Sequence, residues 1–408
     1  MRHVLAAAAM LLACAPVAAR ADDLVTRGEY ITRAADCQAC HTAPGGTPFA
    51  GGREFALPIG VLYAPNITPD KATGIAGYSD DEWVRMLQDG VARGGKHLYP
   101  AMPYTAYTLM SRDDALAVKA YLLSLAPVQA AVPENQIRFP FNQRWGMVFW
   151  NLLNNPGHRF QPDSGKSAEY NRGAYLVEAL GHCGECHTPR NFMMGLKDSK
   201  KFAGTEQVGW LAYNLTSDRS AGLGGWSDAQ LEQYLGTGHA DGHGPASGPM
   251  AEAVEYSLRY LKPDDIQAMV TYLRGVPAQP DGPKAVQAGS QVVPDTLGSR
   301  VFAQACAGCH LPDGDGRQSP WAALRGSHSA ADPAGTNLVA VLAEGSEIGT
   351  AEGLMFMHPF TGGYTDEELA SVANYTIGQF GFRKGLVTPE QVRSHRLTAP
   401  ASAGKPAS

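Results

Sequence analysis

Two stretches of the chain predict helices before any chemistry is considered. Ser79-Asp80-Asp81-Glu82 and Ser227-Asp228-Ala229-Gln230 are capping boxes. Apolar residues follow each at helical spacing: Trp83, Met86 and Leu87 after the first, Leu231, Tyr234 and Leu235 after the second. They read as helix core. Three more helices are expected over Arg112 to Leu125, Pro263 to Arg274 and Asp366 to Gln379, each with a tyrosine at a matching place, Tyr121, Tyr272 and Tyr375. Those tyrosines are expected to pack a helix crossing. Beyond Val4 to Ala13, which is too short to span a bilayer, no run reaches the roughly 18 apolar residues of a membrane helix.

The same pattern repeats along the chain. Arg27-Gly28-Glu29-Tyr30 and Arg172-Gly173-Ala174-Tyr175 each open an N-terminal helix, and Leu297-Gly298-Ser299-Arg300-Val301-Phe302 is a looser third copy. The recurring glycine suits close packing against another helix. Asn66-Ile67-Thr68 and Asn214-Leu215-Thr216 each stand 13 residues before the capping serine and 36 before a methionine, Met102 or Met250. Between the repeats, Ala126 to Gly165 holds five prolines. Its Phe139-to-Phe160 part carries Trp145, Phe149 and Trp150, which suits packing between domains or a docking patch for another subunit or a membrane surface. Pro277 to Pro294 is a second linker, and from Gly385 an Ala/Pro/Ser/Lys-rich tail follows, with a short helical piece at Pro389 to Arg396.

Each opening helix leads to the same pentapeptide: Cys37-Gln38-Ala39-Cys40-His41, Cys183-Gly184-Glu185-Cys186-His187 and Cys306-Ala307-Gly308-Cys309-His310. Cys-x-x-Cys-His is the attachment signature of c-type haem. Two thiols add across the two vinyl groups of one porphyrin, and the histidine takes the iron. Positions i, i+3 and i+4 share a helix face, so the three side chains can meet one flat cofactor. Zinc knuckles and disulfides also use paired cysteines, but neither explains a histidine after every second cysteine. Three motifs use six of the seven cysteines, which implies three covalently bound haem c groups.

The expected axial pairs are His41/Met102, His187/Met250 and His310/Met357, separated by 61, 63 and 47 residues. Thioether sulfur opposite imidazole is the electron-transfer ligation. The methionines stand in stretches rich in Pro or Gly, read as loops. Met355 competes with Met357, His97, His239 and His243 are rival sixth ligands, and His358 stands beside Met357. His182 reads as a neighbour of the second site or a surface residue. Closed irons leave no place for peroxide or nitrite, so no catalytic residue and no substrate chemistry of the chain's own is expected. No dinucleotide fingerprint occurs, and Asp313-Gly314-Asp315-Gly316 lacks the downstream Glu of a calcium loop.

Composition adds a destination. Arg2 and His3, the apolar Val4 to Ala13 and the cleavage pattern Ala19-Arg20-Ala21 read as a secretion signal. Leu11-Leu12-Ala13-Cys14 offers the rival reading of a lipobox with Cys14 lipidated. Either way the chain is exported, with a periplasmic location at the outer face of the cytoplasmic membrane expected. The formal charge of −6 becomes −8 on cleavage after Ala21, which removes Arg2 and Arg20 and no acid, and this disfavours nucleic acid and anionic lipid as partners.

The stretches Arg27 to Tyr30, Cys37 to Gly46, Asn66-Ile67-Thr68-Pro69, His97 to Tyr104, Gly181 to Arg190 and Gly248 to Glu252 together resemble the three-haem cytochrome c subunits of bacterial membrane-bound dehydrogenases. The resemblance covers almost all of the mature chain. It implies a mostly α-helical chain of three tandem cytochrome c-type domains, each wrapped on a covalent haem. The expected layout is a signal peptide over 1–21, domains over 22–130, 166–278 and 295–384, linkers over 131–165 and 279–294, and a flexible tail over 385–408. It further implies a separate dehydrogenase catalytic subunit of PQQ, flavin or molybdopterin type, which oxidises an alcohol, sugar acid or aldehyde. Electrons then pass to ubiquinone or another respiratory acceptor, with peripheral membrane association. Two alternatives stand beside this: a free-standing periplasmic electron carrier and a haem peroxidase. Met357-His358-Pro359-Phe360 departs from the family's Met-Pro-x-Phe, and its C-terminal membrane-associating segment is not evident here.

Overall fold

The computed structural model describes residues 15–281, 296–317, 319–351 and 353–398. The expected linker 279–294 and signal peptide 1–21 therefore lie mostly outside the described residues. The described chain is mainly helical, with short two- and three-stranded sheets between helices. It divides into two compact units, 1–161 with 179–181, and 162–178 with 182–408.

One packing motif recurs three times. Helix Ala15–Ala34 crosses Arg112–Ser124 in the first unit; Ala168–Tyr175 crosses Pro263–Arg274, and Thr296–Val301 crosses Asp366–Phe380, in the second. The expected glycine sits at each crossing. A Cβ on Gly28 would lie 1.9 Å from the Ala117 carbonyl oxygen, on Gly173 1.8 Å from that of Ala268, and on Gly298 2.1 Å from that of Ser371. The next nearest side chains are the matched tyrosines: the Cβ atoms of Tyr121, Tyr272 and Tyr375 flank the same three glycines at 2.8–3.0 Å. Ion pairs brace two of the crossings, Arg27 to Asp114 at 2.7 Å and Arg172 to Asp265 at 2.6 Å. Leu297 stands where the third crossing would need its arginine.

The capping boxes hold. Ser79 and Ser227 accept from the backbone N–H groups of Glu82 and Gln230, whose side chains accept in return from the serine N–H groups. In the first unit, Trp83 is buried and donates from Nε1 to the Ala115 carbonyl at 2.8 Å, which ties that helix to Arg112–Ser124.

Three expectations are corrected. The tail expected to be flexible over 385–408 is built into the second unit as far as residue 398. Helix Pro389–Thr398 buries Val392, pairs His395 with Glu344 at 2.6 Å and sets Arg393 and Arg396 on Asp366. The stretch 131–165, expected as a linker, is largely part of the first unit. Gln136–Ile137 adds a strand to the hairpin of Glu54–Leu57 and Gly60–Tyr63, in register Gly60 with Ile137. Finally, the opening helices do not run unbroken into the pentapeptides. Asp36 and His182 break the first two in the left-handed conformation, and π turns occupy Leu176–Leu180 and Phe302–Cys306.

Candidate haem-binding sites

Each pentapeptide forms a single helical turn: Cys37–Cys40, Cys183–His187 and Ala307–His310, with Cys306 delivered by the preceding π turn. None of the six motif cysteines is joined in a disulfide. Among the described residues no group of three or more Cys, His, Asp or Glu is arranged to hold a metal ion. Burial, chiefly, pushes the Cys37 and Cys183 thiols up to about 12 and that of Cys306 up to about 11.

The three histidines are held alike. His41 Nδ1 donates to the Pro65 carbonyl at 2.8 Å, His187 Nδ1 to that of Tyr213 at 2.5 Å and His310 Nδ1 to that of Ala322 at 2.6 Å. A carbonyl only accepts, so the proton is on Nδ1 and the lone pair on Nε2. Burial holds each imidazole below the ordinary histidine value, which keeps it neutral at pH 7. A ring fixed through Nδ1 with a free Nε2 lone pair is what an iron-ligating histidine requires. The residues present therefore fit a covalent haem.

The main chain of each histidine is held as well. Gly51, Gly204 and Gly316 donate their N–H groups to the carbonyls of His41, His187 and His310 at 2.8, 2.9 and 3.1 Å. All three glycines have positive φ: 77°, 84° and 83°. All three press against the strand of backbone that carries the orienting carbonyl. A Cβ on Gly51 would lie 2.5 Å from the Pro65 carbonyl carbon, on Gly204 3.1 Å from that of Tyr213 and on Gly316 3.2 Å from that of Ala322. We refer to this paired grip as the histidine clasp. Sequence reading missed it.

The matched asparagines brace the clasp in two of the three cases. Asn66 follows Pro65 and Asn214 follows Tyr213. Asn66 Nδ2 donates to the Val128 carbonyl at 2.7 Å, and its Oδ1 accepts from Thr68 N at 2.9 Å and Oγ1 at 2.8 Å. Asn214 repeats this with Gln279 at 2.6 Å and Thr216 at 2.7 and 2.6 Å. Both asparagines are buried. Asn214→Ala leaves buried partners unpaired and is expected to cost about 2–3 kcal/mol, with a shift in the potential of the nearest iron. Denaturant unfolding with a redox titration checks both.

The methionines sit in three different settings. Met102 is in an irregular turn, its N–H donating to the Tyr99 carbonyl at 3.1 Å. Met250 is in the first turn of helix Pro249–Tyr256, because Pro249 is suited to the N1 position. Met357 ends the strand Gly353–Met357, opposite Ser346. Only the first is in a loop as expected. On that last strand Met355 and Met357 face inward while Leu354 and Phe356 are exposed. Met357 packs on the core that contains Cys306, whereas Met355 pairs with Ile348, which abuts Gly238. That separation favours Met357 over Met355 as the ligand of the third site.

The rival histidines divide. His243 lies flat on Trp226 at 3.5 Å, and burial with nearby His328 and His239 pushes its pKa down to about 4. His239 is buried beside Trp321, with ring centroids 5.2 Å apart. Both are engaged by tryptophan rings. His97 differs: its Nδ1 is buried without a hydrogen-bond partner among the described residues, so a haem carboxylate or the iron would satisfy it. His358 is exposed, with its ring against Phe356. His182 introduces the second motif from its left-handed position.

Comparison with known proteins agrees with this chemistry. The cytochrome c family model matches residues 25–126 and 296–376. The gluconate 2-dehydrogenase cytochrome c subunit of Pantoea cypripedii is 38% identical over 95% of this chain and 94% of its own length. The fructose dehydrogenase cytochrome subunit of Gluconobacter japonicus is 36% identical over 91% of this chain and 82% of its own. The alcohol dehydrogenase (quinone), cytochrome c subunit, of Gluconobacter oxydans is 35% identical over 98% and 88%. With its histidines clasped beside cysteine pairs and its length shared with these relatives, the chain belongs to the family of dehydrogenase cytochrome c subunits.

Proposed function

We propose that this chain is an electron-transfer subunit with three covalent haem c groups in three tandem modules. It passes electrons from a separate dehydrogenase catalytic subunit to ubiquinone or another respiratory acceptor. The observation that carries the reading is the histidine clasp, repeated at all three pentapeptides. The bound haem supplies a one-electron iron couple, whose potential a thioether ligand raises. The chain's residues do the rest. Each cysteine pair would tether the group, and each clasped imidazole, together with Met102, Met250 or Met357, would hold its iron. With those residues as ligands the site would exclude small oxidants and be kept to electron transfer.

The relatives' names are those of gluconate, fructose and alcohol dehydrogenases, so the partner is a catalytic subunit of flavin, PQQ or molybdopterin type oxidising a sugar, sugar acid, alcohol or aldehyde. In this reading the chain is exported and works in the periplasm, attached peripherally to the outer face of the cytoplasmic membrane. Among the described residues no helix is long and apolar enough to cross a membrane.

Haem content and partner reduction test the proposal. We expect three haems per purified chain, falling to two in Cys306→Ser/Cys309→Ser, and reduction of all of them when the catalytic subunit and its substrate are added. A wild-type content of two would end the three-site reading. A chain always isolated alone, and not reduced by any such dehydrogenase, would sink the relay.

A further inference from the structure

The strand Trp210–Ala212 serves both axial residues of the second site. Tyr213, which follows it, gives the carbonyl that accepts from His187 Nδ1. The ring of Trp210, which opens it, lies against Gly248, two residues before Met250: a Cβ on Gly248 would stand 2.6 Å from Trp210 Cε2. One edge of the strand pairs with Thr205–Gln207. Its other edge meets the third repeat. The Leu211 N–H donates to Asn337 Oδ1 at 2.7 Å, and Asn337 Nδ2 donates to the Leu211 carbonyl at 2.9 Å. Asn337 is buried, on helix Thr336–Glu344. One side-chain amide thus takes both hydrogen bonds that a further strand would take. Two more contacts come from the same repeat. The Tyr213 ring meets that of His328 at 5.1 Å, with its hydroxyl 3.5 Å from Ser329 Oγ. The hairpin turn at Gly209, where a Cβ would stand 2.7 Å from His395 Cε1, is closed by that histidine, which Glu344 of the Asn337 helix pairs.

We infer that Asn337, a residue of the third repeat, is a positioning residue for His187, so that the second haem site is complete only with the third repeat seated against it. The other two sites show what the asparagine is for. Two residues before the orienting carbonyls of Pro65, Tyr213 and Ala322 stand Tyr63, Leu211 and Pro320. The Tyr63 N–H also donates to an asparagine, Asn135 Oδ1 at 2.9 Å, and Gln136–Ile137 next to it fills the edge of the Tyr63 strand. The first site therefore draws its asparagine from its own unit. Pro320 has no N–H to satisfy. The second site takes its asparagine from another repeat, 126 residues further along the chain. Without it the strand is released at Leu211, midway between its hold on the Tyr213 carbonyl and its hold on Gly248. In a relay this makes the second and third irons one unit, with the potential of the second set partly by the third repeat. The inference rests on the haem reading above.

Redox titration and amide hydrogen exchange of the haem-loaded full chain test it. The redox wave missing from Cys183→Ser/Cys186→Ser identifies the second haem. Asn337→Leu keeps the volume and loses both bonds. We expect it to retain three haems, to shift the potential of the second and not of the third, and to speed exchange at the Leu211 amide about tenfold. Asn337→Ser, a smaller polar residue that water can follow into the site, is the milder variant and should move the same potential in the same direction. Leu342→Ala is the control: it cuts into the core of the third repeat, so it should lower the melting point and leave the second potential and the Leu211 amide as in wild type. Three results would overturn the inference. The Leu211 amide exchanges faster in Asn337→Leu while the second potential stays put. The potential that moves is that of the third haem, which makes Asn337 a residue of its own repeat alone. Or Leu342→Ala moves the second potential as much as Asn337→Leu does, which reduces the effect to lost stability. Haem content is read first. A wild type without a second haem ends the haem reading together with this one, whereas three haems with an unmoved second potential end this one alone.

Discussion

Gly173→Ala is expected to unfold the crossing of Ala168–Tyr175 with Pro263–Arg274 rather than strengthen it. Two effects oppose each other. In a helix interior alanine is favoured over glycine by about 1 kcal/mol. Against that, the new Cβ would sit 1.8 Å from the Ala268 carbonyl oxygen and 2.4 Å from its carbon. Both atoms belong to helix backbone, so no side chain can rotate away. The helices must separate by more than an ångström, and the Arg172–Asp265 pair separates with them. Overpacking of this kind costs about 3 kcal/mol or more, which outweighs the propensity gain. For a module of this size the midpoint should fall by on the order of 10 °C or more. Gly236→Ala is the matched control: Gly236 lies in helix Asp228–Thr237 with nothing within 4 Å of an added Cβ, so the substitution should stabilise by about 0.5–1 kcal/mol. Thermal melting followed in the haem absorption band reads both. Equal midpoints for the two variants would mean that the crossing is not as tight as described. Gly28→Ala and Gly298→Ala should behave as Gly173→Ala does.

These crossing glycines were legible in the sequence because they precede the pentapeptide at nearly constant distance in all three repeats. The capping boxes were legible because the box is local: four consecutive residues contain the whole interaction. The clasp was not, for two physical reasons. Its acceptors are main-chain carbonyls of Pro65, Tyr213 and Ala322, and a carbonyl has no residue identity to read. Its glycines follow their histidines by 10, 17 and 6 residues, so no spacing repeats. What fixes them is the later return of the chain past the histidine, a tertiary fact. The matched asparagines gave half of the signal: their recurrence was visible, but their task of bracing the backbone directly after Pro65 and Tyr213, whose carbonyls orient the histidines, was not. The tail misled for a different reason. Its Ala/Pro/Ser composition hides two buried side chains, Val387 and Val392, and ion pairs to Glu344 and Asp366 that lie far away in sequence. The aromatic segment was visible as aromatic, but only the fold separates Trp150, turned inward, from Trp145 and Phe149, turned out.

Gly51→Ala is expected to be the most damaging single-methyl change at a histidine clasp. The cost has two parts that a second variant separates. The first is conformational: Gly51 has φ 77°, where a Cβ costs about 1–2 kcal/mol. Gly45, with φ 68° and nothing within 4 Å of an added Cβ, would bear that part alone. The second is steric. At Gly51 the Cβ would stand 2.5 Å from the Pro65 carbonyl carbon and 2.6 Å from Asn66 N, both main-chain atoms. Relief requires the Pro65 carbonyl to move, and that carbonyl is the acceptor for His41 Nδ1. The Gly51 N–H bond to the His41 carbonyl must shift in the same movement. Gly45→Ala should therefore lower stability by about 1 kcal/mol and leave the visible spectrum alone. Gly51→Ala should lower stability by about 3 kcal/mol or more and also alter the ligation of the first site, seen as a lowered potential or a high-spin fraction for one haem. Gly204→Ala and Gly316→Ala, whose nearest backbone atoms stand at 2.9 and 2.8 Å, should follow with smaller losses of the same kind at the second and third sites. The spectroscopic change decides the matter. A Gly51→Ala protein that is merely less stable, with all its haems ligated as in wild type, would reduce the clasp to ordinary packing. A change confined to one haem would make the glycine a positioning residue for His41.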